Sequence, residues 1–394
     1  MNKRFLTKAW TGTLAALLFC VAAQAAEQPI VIQKTNDMAG YTPPTPIAIT
    51  GFSGEVAHVL SFDLTVMGFT NVSAASAQYV LSGSNDPNVR GQLSFGKIVR
   101  FSKVYSGASV RGQAHRLADD VVLSITGVNG IAETKIAFKR VTGSRSSEIY
   151  VADFDGYDAR PVTQDSTDAA APCWVPGRMA VYYTSYKLGS PNIFYQDLGT
   201  GQRHNFAHYP GLNTSATVSP DGRKVAMILS KGGSPDLYVC DADGSNLKQL
   251  TATPEDESSP CWSPNGQWIC YAAKMNERRA LWKVSPEGGA PTRIPTSGVS
   301  NPSEPDWSPD GKWIVFTSQM GGFEICVVPA TGGTATPIVS GEDACWSPNS
   351  RTVVFVRGTR GSRQLAILDV PTRQVRDAAR AEGGGSNSQP SWAR

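Results

Sequence analysis

The chain of 394 residues carries little of what catalysis usually needs. It has four histidines (His58, His115, His204, His208), none in an HExxH or HxH spacing, and seven cysteines without the close pairing of a zinc site. There is no G-x-S-x-G elbow, no P-loop and no glycine-rich dinucleotide fingerprint. No catalytic, cofactor or metal residue is therefore assigned, and a non-enzyme is expected. Surplus charge is also missing. The count is 36 Lys and Arg against 33 Asp and Glu, and Lys3, Arg4 and Lys8 account for the difference. The remainder is balanced, which argues against a nucleic-acid-binding surface. Beyond residue 25 no apolar run is long enough to cross a bilayer, so no membrane insertion is expected.

The first 25 residues read as an address. Lys3 and Arg4 open a basic region, Leu14 to Val21 is a short apolar stretch, and Ala23-Gln-Ala25 is a small-residue cleavage site. Phe19 before Cys20 does not fit lipoprotein processing, which needs a small residue there. Export into the periplasm with a cleaved signal peptide follows, and the alternative is an uncleaved anchor. Six cysteines then remain. Cys173, Cys261 and Cys345 recur at one place in a repeat, and Cys240, Cys270 and Cys326 fall inside expected strands, so they read as small buried apolar side chains. Cys261 and Cys270 flank a turn that could bring them face to face.

What the chain does have is turns and a period. With 38 Gly and 26 Pro it favours a β-rich architecture. Five segments align: Pro172-Cys-Trp-Val-Pro176, Ala216-Thr-Val-Ser-Pro220-Asp-Gly, Pro260-Cys-Trp-Ser-Pro264-Asn-Gly, Pro305-Asp-Trp-Ser-Pro309-Asp-Gly and Ala344-Cys-Trp-Ser-Pro348-Asn. Pro390-Ser-Trp392 starts a sixth. From Trp174 through Val218, Trp262, Trp307 and Trp346 to Trp392 the steps are 44, 44, 45, 39 and 46 residues. Such a period, filled with short strands, is that of a propeller blade.

Second strands are expected to begin near Ile136, Met179, Lys224, Trp268, Trp313 and Thr352, which makes six. First strands also number six only if Ser388 to Trp392 is one of them, so the C-terminal strand must complete the blade that opens at Ile136. The expected fold class is mainly β: a six-bladed β-propeller over residues 131–394, preceded by a small α/β domain, with the ring closed by the C-terminal strand. The repeated tryptophans are expected between blades. Asp153-Phe-Asp-Gly156 and Asp241-Ala-Asp-Gly244 lack the ligands of a calcium loop and read as turns.

Residues 47–130 do not share the repeat. A strand at 47–52 leads to a helix over 56–67, whose apolar positions Val56, Val59, Leu60, Leu64 and Met67 make one stripe. Strands at 69–72, 77–82, 92–95, 97–101 and 103–105 and a helix at 114–125 complete a mixed α/β domain. Ahead of it, residues 26–46 form an extended arm, with Glu27, Ile30, Val31 and Ile32 as a segment that could add to a partner's sheet.

An up-and-down blade puts the Pro-Asp-Gly turns and the third-to-fourth turns on one face. The N-terminal domain feeds into a second strand and therefore arrives on that face. The opposite, free face presents the loops between blades, with Asp168, Leu212, Asn213, Glu255, Asp256, Glu257, Ser300, Asn301, Glu342, Asp343 and Asn387 as candidate partner-binding residues around a channel mouth.

The repeats resemble the WD40-like Pro-Asp propeller repeat, and the whole layout resembles the TolB family of the Tol–Pal system. The most specific stretch is the junction: Ala118 to Ala132, Lys135-Ile-Ala-Phe138, then Glu148-Ile-Tyr-Val-Ala-Asp-Phe-Asp-Gly-Tyr-Asp158. The resemblance implies a periplasmic adaptor, expected as a monomer, which supports outer-membrane integrity and cell division. Its propeller mouth would engage a Pal-like peptidoglycan-associated lipoprotein, and its arm TolA. Asn213 matches an asparagine of the family's corresponding loop, whereas Leu212 stands where the family has histidine. The rival reading is a secreted propeller acting as an enzyme or an enzyme accessory, such as a glycan lyase or a peptidase lid.

Overall fold

Five times along the chain a strand lines the centre of the molecule and three more follow it outwards, each antiparallel to the last, and a sixth such sheet takes its inner strand from Asn387–Trp392. The computed structural model describes residue 38 and residues 40–107, 109–275, 278–359, 361–379 and 385–394, leaving aside the side chain of Met275. The signal peptide expected over residues 1–25 and the expected arm residues Glu27, Ile30, Val31 and Ile32 lie outside the described residues. The inner strands are Ala169–Trp174, Asn213–Val218, Glu257–Trp262, Ser303–Trp307, Glu342–Trp346 and Asn387–Trp392. They belong to blades 2, 3, 4, 5, 6 and 1 in that order. Blade 1 joins Asn387–Trp392 to Lys135–Val141, with Trp392 opposite Ile136 and Asn387 opposite Arg140. The ring is thus closed by the C-terminal strand, as the strand count requires, and neither end leaves a bare inner edge to recruit another sheet.

Local chemistry sets the turns. In the Pro-Asp-Gly turn of blade 3, the Asp221 carboxylate accepts from the Ser219 hydroxyl at 2.6 Å and the Arg223 N–H at 3.1 Å. Asp310 and Asn265 repeat these bonds in blades 5 and 4. The tryptophans that mark the period fill the gaps between blades. Trp346 is fully buried among Val315, Ile325 and Val327 of blade 5 and Val353 and Phe355 of its own blade, and Trp262 packs likewise against Ala226, Ile228 and Leu237 of blade 3. One connection lies outside the repeat: Thr296–Ser297 pairs in parallel with Gly333–Thr334, clipping the exit of blade 4 to blade 5.

The α/β domain is a two-layer unit: β1 (Thr45–Thr50), α1 (Gly54–Val66), β2 (Phe69–Asn71), β3 (Tyr79–Ser84), β4 (Val89–Phe95), β5 (Ile98–Tyr105) and α2 (Val110–Thr126). The sheet order is β2-β1-β3-β4-β5; β1 runs parallel to β2 and β3, and the remaining pairs are antiparallel. The stripe Val56, Val59, Leu60 and Leu64 is buried against this sheet. Two short strands expected at 97–101 and 103–105 are one strand, β5. Ser102 does not interrupt it, because it pairs with Gln92, and a bulge opposite Leu93 and Ser94 absorbs the extra residue. The end of the expected arm is also packed down: Met38 is buried between blades 5 and 6, and the Thr42 N–H donates to the Pro371 carbonyl at 2.8 Å.

Helix α2 begins under a cap, with Ser109 Oγ accepting from the Gly112 N–H at 3.1 Å, and ends on Gly127 in the left-handed region at φ 74°. Three residues on, Gly130 passes so close to Asp119 that a Cβ there would fall within 1.9 Å of the carboxylate. That approach lets Asp119 accept from the Ala132 N–H at 2.9 Å and lock the junction into the propeller. The two domains share one apolar core, in which Val59, Leu117 and Val121 meet Ile136, Phe154, Ile367 and Trp392. The contacts fall on the turn face, as expected from chain direction: the Thr352 hydroxyl donates to the Val66 carbonyl at 3.2 Å, and Arg111 pairs with Asp155. Among the described residues no helix is long and apolar enough to cross a membrane.

Candidate functional site: the channel mouth

Each inner strand carries the same defect at the same place. Its pairing with the second strand slips by a bulge in all six blades. The bulged residue, three before the tryptophan position, turns into the left-handed region: Ala171, Ser215, Ser259, Glu304, Asp343 and Gln389, with φ between 50° and 56°. Left-handed conformations in residues other than glycine cost on the order of 1 kcal/mol or more each, so the surroundings must hold them. Part of that support runs around the ring. Glu304 accepts from the Asp343 N–H at 3.2 Å, Asp343 from the Gln389 N–H at 2.9 Å, and Gln389 from the Ala171 N–H at 2.9 Å. Each side chain thus fastens the next blade. Ala171, Ser215 and Ser259 make no such link.

A second tier lies two residues deeper: Cys173, Thr217, Cys261, Asp306, Cys345 and Ser391. Here again a side chain holds the neighbouring blade: Asp306 accepts from the Trp346 N–H at 2.7 Å, Cys345 from the Trp392 N–H at 3.3 Å, and Ser391 from the Trp174 N–H at 3.3 Å. Both tiers line one channel of about 430 Å³. At its turn-face end the Arg394 guanidinium enters the lumen, pairs with Asp306, and donates to the Trp346 carbonyl at 3.0 Å. Its own carbonyl accepts from the Gly177 N–H of blade 2.

The electrostatics of the mouth come from crowding. The Asp343 carboxyl is held well above the usual carboxylate range by burial and by Glu304 beside it. Glu342 is also raised by burial, although Arg363 at 2.7 Å opposes the shift. The channel thiols are pushed up as well, Cys173 and Cys345 chiefly by burial and Cys261 chiefly by its hydrogen bond with Cys270 and then by burial, while Cys240 and Cys326, in third strands outside the channel, are raised by burial to about 12. They are protonated and inert as nucleophiles at neutral pH. Cys261 and Cys270 do sit directly opposite one another across the ladder, both as free thiols.

The candidate partner residues all gather where the chain enters an inner strand, but they divide by register. Asn213, Glu257 and Asn387 occupy one position, five residues before the tryptophan, and their side chains are buried. Asn213 bridges the loop before it, donating to the carbonyls of Tyr209 at 2.7 Å and Pro191 at 3.1 Å and accepting from the Tyr209 N–H at 2.8 Å. Glu257 accepts from the hydroxyls of Thr251 at 2.5 Å and Thr253 at 2.8 Å and from the Leu237 N–H at 3.1 Å. Asn213 and Glu257 thus fasten the entry of their strands, whereas the buried Asn387 side chain leaves its Oδ1 without a hydrogen-bond partner. Leu212 is half-buried against the packing of blades 3 and 4.

Asp168 is half-exposed and bonded to Lys139 at 2.8 Å. Asp256, Ser300 and Asn301 are exposed, and Glu255 is partly so. Asp343 faces the lumen, and Glu342 lies beside it in the same strand. Sequence reading passed over Ala171, Ser215, Ser259, Glu304 and Gln389. The signal for them was the fixed offset from the tryptophans: two residues nearer than the buried position, a strand side chain on the same face becomes lumen-facing only because of the bulge.

No histidine lines the channel. His115 is buried in the α/β domain against Asp63, with Nδ1 to Oδ2 at 2.7 Å, and His58, His204 and His208 are exposed away from the lumen. Among the described residues no three His, Cys, Asp or Glu side chains are arranged to hold a metal ion.

Comparison with known proteins adds to this geometry. The profile of the family described as TolB beta propeller domain matches residues 122–394. The Tol-Pal system protein TolB of Bordetella pertussis is 28% identical over 313 residues, covering 70% of this chain and 71% of that protein. The Bordetella parapertussis protein of the same name is also 28% identical, with 70% of each chain covered. Among solved structures, TolB from Acinetobacter baumannii superposes with a TM-score of 0.79 at 21% identity, over 90% of this chain and 98% of that one.

Proposed function

The chain belongs to the TolB β-propeller family, and from that membership we propose that it is a non-enzymatic periplasmic adaptor of the Tol–Pal system. Its free propeller face receives a Pal-like lipoprotein, and its N-terminal arm (Glu27, Ile30, Val31, Ile32) engages TolA. In this role it supports outer-membrane integrity and cell division.

The observation that carries the reading is the lumen mouth. Glu304, Asp343 and Gln389 form a hydrogen-bonded polar arc there, on the face away from the α/β domain, and half-exposed Asp168 and exposed Asp256, Ser300 and Asn301 surround it. A fixed constellation of acceptors around a concave opening suits recognition of a folded partner.

Calorimetric titration of the purified protein with the periplasmic domain of a Pal-like lipoprotein tests the proposal. The double variant Asp256→Lys, Asn301→Lys changes only exposed side chains and should weaken binding by about tenfold, or about 1.4 kcal/mol. Undiminished affinity would remove this face from the account. Ile30→Asp with Ile32→Asp should abolish TolA binding and leave the lipoprotein affinity unchanged.

A further inference from the structure

Strand β5 is the outermost strand of the five-stranded sheet, and over its eight residues one row of backbone N–H and C=O groups has no strand beside it. Edge strands are normally blunted by shortness, proline or scattered charge. This one carries Arg100, Lys103 and the bulge beside β4, but it is long, contains no proline, and exposes Ile98 at 66%, Val104 at 64% and Val99 at 52%. Phe95 on neighbouring β4 is also exposed. The chain here is strongly one-sided in charge. Between Asp86 and Asp119 it has six Arg and Lys and no Asp or Glu, whereas the rest of the chain has 30 Arg and Lys against 33 Asp and Glu.

Three of the six are committed elsewhere: Arg111 to Asp155, Lys103 to Asp120 at 2.9 Å, and Arg116 to Glu133 at 3.9 Å. Arg100 reaches the Ser124 carbonyl, so its charge is not neutralised by an acid. Arg90, which pairs with Val104 across the ladder, and Lys97 in the hairpin turn are exposed.

We propose that β5 is a docking edge for an extended acidic peptide segment of a partner protein, added to the sheet as a sixth strand. The backbone row supplies affinity, the exposed Ile and Val side chains supply apolar contact, and Arg90, Lys97 and Arg100 select for Glu and Asp. A second copy of this chain fits poorly. Antiparallel self-pairing about the middle of β5 would set Arg100 against Lys103 of the other copy, and directly opposed like charges are destabilising.

The test uses the purified protein and a fluorescent octapeptide alternating Glu and Val, with an octapeptide alternating Lys and Val as control. The Glu peptide should bind, should slow amide hydrogen exchange across residues 98–105, and should weaken as salt rises. Arg90→Glu with Lys97→Glu, both at exposed positions, should reduce its affinity at least tenfold. Unchanged exchange in β5, equal binding of both peptides, or no binding at millimolar peptide would overturn the proposal. So would concentration-dependent dimerisation through this strand, or retention by anionic phospholipid vesicles where the Glu peptide is not bound.

Discussion

The propeller and the α/β domain bury their sheets by opposite means. In the propeller one solution is repeated: a tryptophan or valine wedges into each gap, an Asp or Asn closes many of the turns, and one blade supports the next. Blade 6 adds a buried carboxylate of its own, Asp369, which accepts from Arg351 at 2.8 Å and from the Thr372 N–H at 3.1 Å. The α/β domain has no repeat, and its two helices are held in register by charged groups placed inside. Asp63 on α1 and His115 on α2 are both buried, and Asp63 Oδ1 and His115 Nε2 have no hydrogen-bond partner. The Phe154 ring lies between the His115 ring at 5.8 Å and the Trp392 ring at 6.3 Å, so this polar core abuts the seam of the ring. Repetition spreads stability widely, whereas the unique domain concentrates it in a few groups that titrate.

The largest effect should come from breaking the repetition at its seam. Removal of residues 388–394 deletes an inner strand together with Trp392, and should unfold the propeller or lower its melting temperature drastically, as followed by circular dichroism. Trp392→Ala alone should cost about 3–5 kcal/mol in urea unfolding, the range for a large buried aromatic. If the truncated chain melted like the intact one, closure of the ring would not be what stabilises it.

Next in size is the buried pair. His115→Ala leaves the Asp63 carboxyl buried and unpaired, and should destabilise the protein by about 3 kcal/mol at neutral pH. The pH dependence has a definite sign. Burial raises Asp63 to about 6 and Asp119 to about 7, while hydrogen bonding and charge attraction from Asp63 carry His115 above its usual value against the desolvation that lowers it. In each case the folded state holds its proton more tightly than the unfolded chain. Stability from these groups is present near pH 4 and is lost as pH rises through about 6 and 7. Thermal melts should therefore show the α/β domain more stable at pH 5 than at pH 8, and Asp63→Asn should flatten that slope.

The smallest effect belongs to a single turn. Hydrogen bonds from Ser219 and Arg223 hold the Asp221 carboxyl below its usual range, so that group contributes stability above pH 4 that is lost as pH falls further. Asp221→Ala should cost about 1 kcal/mol in urea unfolding, as expected for lost turn hydrogen bonds at an exposed site. A loss as large as that of His115→Ala would mean that the contrast between the domains is false.

The same contrast explains what the sequence could reveal. Spacing the tryptophans at about one blade fixed six blades and even that the C-terminal strand completes the blade opening at Ile136, because a repeat reports its own boundaries. The α/β domain offered only local pattern: its helices were legible from apolar stripes, but Ser102 looked like a break in a strand that runs straight through it. At the channel, the entry of each inner strand was legible and the direction of its side chains was not. A bulge of one residue reverses which side of a strand faces the lumen, so Glu257 and Glu304 look alike in sequence while one is a buried fastener and the other lines the mouth.

Arg394 gives the channel a property that follows from its position alone. Its guanidinium spans from the final strand of the ring to Asp306 in blade 5 and the Trp346 carbonyl in blade 6, while its carbonyl is held by blade 2. Any cationic group threaded down the shaft as far as Asp306 must evict this latch before it can take the carboxylate. Deep occupancy of the bore and loosening of the weld between first and last blades are therefore one event, and a shallow guest at the rim would leave the weld intact.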